Sequence, residues 1–240
     1  MELLILIYIV LVIFILLVFL LYLIYNPAKG LYPYNYYIEL TQGKKVFYSN
    51  KEKEDIFPTS IILEKNWKII REEFLNLNYN KNKKENMWSK FTTENKEFWK
   101  GWNTVVLRSF NKDNKQNMEK CPTLSKILNN NKNITTAIFS ILEPGKTLHS
   151  HYGPFKGVLR YHLGLIVPKP SKGECFISVD GIDYDWREGE GVLFDESYKH
   201  FATNQTDQHR VILFLDIKRP NLGRFNDLLI SLIGLSPYNH

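Results

Sequence analysis

The chain has 240 residues, enough for one domain of ordinary size, and its 31 lysines and arginines against 25 acids leave a net charge of +6. The excess is scattered lysine, with no arginine-rich stripe or aromatic-interleaved basic patch, which argues for a solvated face and against a nucleic-acid partner. The two cysteines, Cys121 and Cys175, fit neither a metal spacing nor a disulfide framework.

The first element is the run LLILIYIVLVIFILLVFLLYLIY, Leu3 to Tyr25, without a charge, glycine or proline. As a helix it is about 34 Å long, enough for a bilayer core of about 30 Å. A cleaved signal peptide would need a basic leading region, a shorter apolar stretch and a small-residue cleavage site, and all three are missing. Residues 1–25 therefore read as a single-pass transmembrane anchor, with residues 3–25 in the bilayer and Tyr22, Tyr25, Tyr32 and Tyr34 suited to its interface. Lys29, Lys44, Lys45, Lys51 and Lys53 follow this run, against Glu2 before it. That bias places the rest of the chain on the cytoplasmic side. Two Asn-Xaa-Thr sequons, at Asn133 and Asn204, would be available only on the lumenal side.

Residues 26–62 read as an irregular membrane-proximal segment that leaves the bilayer through the turn-rich NPAKGLYPYNYY. Residues 63–133 read as a helical part. LEKNWKIIREEFLNL sets Trp67, Ile70, Phe74 and Leu77 at helical spacing, and PTLSKILNN predicts a short helix opened by Pro122. Lysine- and asparagine-rich loops are expected at 78–86 and 111–117.

From Ile134 the texture changes. TTAIFSIL, VLRYHLGLIV, CFISV, IDYDW, GVLF and RVILFLDI are short, rich in β-branched and aromatic residues, and separated by Gly, Pro and Asp. Asp180-Gly181 is a type I′ hairpin signal. Such spacing predicts an antiparallel jelly-roll core over 134–219, inside a unit of residues 134–240 that closes with a helix at GRFNDLLISLIG.

Within VLRYHLGLI, period two puts Arg160, His162 and Gly164 on one face and Leu159, Tyr161, Leu163 and Leu165 on the other. In RVILFLDI, Arg210 shares a face with Ile212, Phe214 and Asp216. A buried arginine needs an anion, either Asp216 or, taken with Arg160 and His162, a bound dicarboxylate. His151 precedes a Tyr-Gly-Pro turn and His200 ends FDESYKH. Two histidines from separated strands of a small β sandwich suit an iron-binding oxygenase site, although the usual carboxylate position two residues after His151 holds Gly153.

SILEPGKTLHSHYGPFKGVLRYHLGLIVP and YDWREGEGVLFDESYKHFATNQTDQHRVILFLDIKRP together resemble the aspartyl/asparaginyl β-hydroxylase family, almost without gaps over residues 135–220 and more loosely from Lys65. Within it, LRYHLGL, VDG, WREGEG, FDESYKH, TDQHR and KRP are most similar to a membrane-anchored bacterial branch that hydroxylates an acyl chain of lipid A. The resemblance implies a mainly β protein with flanking helices, built on a double-stranded β-helix. It also implies a dioxygenase that uses Fe(II), with 2-oxoglutarate and O2 as cosubstrates. His151 and His200 match the iron-binding pair. Ser140 and Arg210 match the residues that hold the distal carboxylate of 2-oxoglutarate, and Arg160 and His162 those near its metal-end carboxylate. The family manages without a protein carboxylate on iron, so Gly153 fits, and Asp195 takes a structural role. His149, His209 and His240 match nothing functional. The expected substrate is a membrane lipid. Asp or Asn side chains in a protein form an alternative, and an inactive membrane-tethered scaffold a third reading.

Overall fold

The computed structural model describes residues 2–25, 30–77, 100–169 and 175–234. The 78–86 loop, His240 and the side chains of Tyr25 and Lys29 lie outside these residues. Eight helices and eleven strands follow in chain order: α1 Glu2–Tyr25, α2 Tyr32–Gln42, β1 Phe47–Tyr48, α3 Asn50–Ile56, α4 Thr59–Lys65, α5 Trp67–Asn76, β2 Trp102–Ser109, β3 Lys112–Asp113, α6 Lys115–Lys120, α7 Pro122–Asn129, β4 Ile134–Leu142, β5 Lys146–His151, β6 Val158–Ile166, β7 Cys175–Val179, β8 Ile182–Asp185, β9 Gly191–Phe194, β10 His200–Asn204, β11 Arg210–Lys218 and α8 Gly223–Ile233.

The strands form two antiparallel sheets, one of seven in the order β1-β9-β6-β11-β4-β2-β3 and one of four in the order β5-β10-β7-β8. The mainly β core predicted from 134 is present, and its large sheet reaches back to β2 and β1. Strands β4, β6 and β11 are buried on both faces, which is why they read as almost unbroken apolar runs. One face of the large sheet carries Leu159, Tyr161, Leu163, Phe139, Leu213 and Leu215 against Leu63, Ile70, Phe74, Leu124 and Leu128 of the helices. The other face, with Ile138, Ile212, Phe214 and Phe194, packs on Leu148, Ile177, Val179 and Ala202 of the small sheet.

The β7–β8 turn has Asp180 at φ 51° and Gly181 at φ 79°, the left-handed pair that a type I′ hairpin needs. The helices predicted at Trp67, Pro122 and Gly223 are α5, α7 and α8. The irregular segment expected over 26–62 is corrected: α2, α3, α4 and β1 occupy most of it. Pro33 sits in the first turn of α2, where its missing N–H breaks no helical bond. Ser49 and Glu52 close a capping box at the start of α3. Within the predicted helical part and its 111–117 loop, β2 and β3 are strands and Lys115 opens α6.

A third apolar cluster ties Leu31, next to α2, to Phe155, Val158 and the Leu229–Ile230 face of α8. Helix α1 abuts α8, but residues 2–22 are not buried in the fold. It is the one helix among the described residues long and apolar enough to cross a membrane. Asn204 is fully buried, its amide donating to the carbonyls of Leu142, Glu143 and Gln208, so its sequon is closed in the folded chain; Asn133 is exposed.

Candidate active site

His151 ends β5 and His200 begins β10, and the two are direct partners across the small sheet. Their ring centroids lie 4.2 Å apart. Nδ1 of His151 bonds the carbonyl of His149, and Nδ1 of His200 bonds the carbonyl of Tyr198, each at 2.8 Å. Since a carbonyl only accepts, both rings carry their proton on Nδ1 and keep the lone pair on Nε2, the tautomer a metal ligand uses. Burial lowers the proton affinity of both rings and nearby Arg160 depresses each further; His200 is also held down by His151, to about 3. The pair therefore stays neutral at physiological pH, and neutral imidazole is the metal-binding form.

Gly153 lies two residues on, where a Cβ would come within 2.2 Å of the Glu196 carboxyl carbon. The Glu196 carboxyl thus fills the space a side chain at 153 would need. It pairs with Nη1 of Arg160 at 2.5 Å, while Nε of Arg160 bonds Asp216, its cross-strand partner, at 3.0 Å. Arg160 is held between two acids and stacks over Phe214. Burial raises the pKa of both acids, that of Glu196 to about 7. Among the described residues, no group of three or more His, Cys, Asp or Glu side chains is placed to hold a metal.

Asp216 is therefore not the partner of Arg210, and that alternative is corrected. Arg210 is 2% exposed, its Nη1 donates to Ser140 Oγ at 3.4 Å, its plane stacks on Trp186 at 4.5 Å, and its buried Nε has no hydrogen-bond partner. Ser140 also accepts from Trp102 Nε1 at 2.8 Å, which leaves its own hydroxyl hydrogen for another acceptor. His162 stands between the two ends, among Trp186, Phe194 and Phe214, with neither ring nitrogen bonded. A buried cation, an unbonded imidazole and the orphaned indole N–H of Trp186 lie side by side as a donor set suited to an anion. These residues fit a dicarboxylate.

All six candidate residues thus lie between the two sheets, reached from β4, β5, β6, β10 and β11. Asp195 bonds Arg219, Lys156 and Ser197, holding the turn before His200. His149 contributes its backbone carbonyl, and its side chain is exposed. Trp102 and Trp186 were missed by sequence reasoning. The alternation of IDYDW marked Trp186 as strand-flanking, but nothing local could place it on Arg210.

The family model for aspartyl/asparaginyl beta-hydroxylase matches residues 64–220. The chain belongs to the aspartyl/asparaginyl beta-hydroxylase family. It is 43% identical over 140 residues to the ornithine lipid ester-linked acyl 2-hydroxylase of Rhizobium tropici, a match covering 57% of this chain and 50% of that one. To the human aspartyl/asparaginyl beta-hydroxylase it is 28% identical over 165 residues, 67% of this chain and 21% of the relative. The chain spans half or less of the length of these relatives. A Cupin_2 domain from an Enterobacter cloacae regulator overlaps 50% of this chain and 99% of its own at a TM-score of 0.34 and 14% identity, too loose a superposition to carry any argument.

Proposed function

We propose that this hydroxylase is a membrane-anchored, Fe(II)- and 2-oxoglutarate-dependent dioxygenase that hydroxylates an unactivated carbon of a lipid acyl chain. The observation that carries the reading is Arg210, a buried cation without an acid partner among the described residues, on the same side of the large sheet as the paired histidines. In this reading His151 and His200 hold the metal through Nε2. Arg210 and Ser140 hold the distal carboxylate of 2-oxoglutarate, and His162 donates toward its middle. Arg160 is already balanced by Glu196 and Asp216, so its contribution at the metal end is to position these carboxyls and to keep the neighbouring imidazoles neutral. The bound iron supplies oxygen activation coupled to decarboxylation of 2-oxoglutarate; the protein supplies position, charge and exclusion of water. The apolar α1 and the acyl hydroxylase named among the relatives support a lipid substrate.

The test is the full-length protein in nanodiscs with Fe(II), 2-oxoglutarate and O2, followed by mass spectrometry of the lipids and proteins of cells with and without it. Lipid gaining one oxygen atom, with succinate in step, is the expected result. His151→Ala and His200→Ala should abolish turnover, and His149→Ala should not. Oxygen gained on Asp or Asn of a protein instead would move the substrate to the protein reading. No 2-oxoglutarate turnover would favour the scaffold.

A further inference from the structure

The outward faces of α2 and α8 carry large apolar and aromatic side chains that the fold leaves in the open. Tyr32 is 70% exposed, Leu40 67%, Tyr36 58%, Phe225 57%, Tyr37 54% and Leu228 52%. The two helices are joined through an aromatic contact. The Tyr34 ring stacks with Tyr37 at 6.1 Å and meets Phe225 edge-on at 5.3 Å, joining the two helices. Single exposed apolar residues need no explanation, but a joined aromatic patch does.

We propose that this patch is a membrane-docking face that seats the domain in the headgroup–acyl boundary of the same bilayer that α1 spans, with the loop that follows His151 beside it. The inference rests on the anchored reading given above. Helix α1 abuts α8, and α2 begins seven residues after α1 ends, so the patch adjoins the membrane-spanning element. Tyrosine and phenylalanine are the side chains that this boundary favours. The carboxylates on the two helices do not oppose it: Glu39 pairs with Lys156 at 3.3 Å and Asp227 with Lys218 at 2.7 Å.

The patch is also fastened to the site. The Asn35 side chain, on α2, donates to the Pro154 carbonyl and accepts from the Lys156 N–H, each at 2.8 Å. Phe155 stacks on Tyr34. These contacts clamp the loop that follows His151, whose first residue, Tyr152, is 66% exposed. A bilayer under α2 and α8 therefore lies next to the loop that leads directly out of His151.

The test uses the full-length chain in nanodiscs of phosphatidylcholine and phosphatidylglycerol, with nitroxide labels at Tyr37→Cys and Leu228→Cys and a control at Asp183→Cys on the exposed β8 strand. Cys121 and Cys175 are buried, and unsubstituted protein reports any background labelling. The expected result is that the two patch labels relax more with oxygen than with a water-soluble nickel chelate, and the control the reverse. Labels as open to the chelate as the control would overturn the proposal. So would labels shielded from both reagents with dipolar coupling between copies, because a second chain would then cover the patch. In parallel, Phe225→Glu/Leu228→Glu should lower turnover of bilayer lipid tenfold or more while leaving turnover of the same lipid in detergent micelles unchanged. Patch labels in lipid with no lipid oxidised would support docking and sink the lipid substrate; lipid oxidised with patch labels in water would do the opposite.

Discussion

Arg210 has a hydroxyl and an indole face for company and no carboxylate among the described residues within ion-pair reach. If it holds 2-oxoglutarate, Arg210→Ala loses a charge-assisted contact of about 1.5–3 kcal/mol, a ten- to hundredfold loss of affinity. Arg210→Lys keeps the charge without the planar fork and should lose less. Neither should lower the melting temperature of the cofactor-free protein. Melts with and without 2-oxoglutarate, under Mn(II), separate binding from stability. His162 makes a second prediction. Burial holds its folded pKa well below the ordinary 6.5, so only the unfolded chain takes up its proton. Its stabilisation is complete above about pH 6.5 and lost as pH falls, at up to about 1.4 kcal/mol per pH unit. His162→Leu should flatten the decline in melting temperature between pH 7 and 5; an unchanged slope would show that the ring is not the cause. Gly153 is a third case. Gly153→Ala drives a methyl into Glu196 and loosens its pair with Arg160, and should destabilise by about 1–3 kcal/mol in denaturant melts. The sequence marked Gly153 as a missing ligand. That a glutamate forty-three residues later fills its space depends on a loop closing over it, which no local pattern encodes.

At the scale of elements, the strands from Ile134 onward were legible because alternation and β-branching are local. The face shared by Arg210 and Asp216 was legible for the same reason, but the partner of Asp216 was not. Arg160 stands opposite it by register between β6 and β11, a pairing of distant segments. Residues 32–56 were misread for a different reason. Pro33 and Gly43 resemble punctuation, and Pro33 proves compatible with a helix start. Ser49-Asn-Lys-Glu52 did hold a usable signal, the capping box that opens α3. Ser49→Ala should cost about 1 kcal/mol in a chemical melt, the ordinary worth of such a cap. A loss of zero would mean that the apolar contacts of α3 hold it without its cap.

At the scale of the whole molecule, α1 is the part that the fold does not use, since none of residues 2–22 is buried. Full-length protein should therefore resist carbonate extraction from membranes, and residues 26–240 should release. Recovery of the full chain in the soluble fraction would end the membrane reading.

The order of strands bears on how the protein is made. β11 lies at the centre of the large sheet, between β6 and β4, yet it is the last strand in the chain. Its neighbour β4 leaves the ribosome about 70 residues earlier, which at about 5–20 residues per second is roughly 4–14 s of waiting. For that interval β4 and β6, both buried on two faces in the finished sheet, have no strand between them. In the anchored reading the chain waits tethered at the bilayer, and the sheet closes only when residues 210–218 arrive.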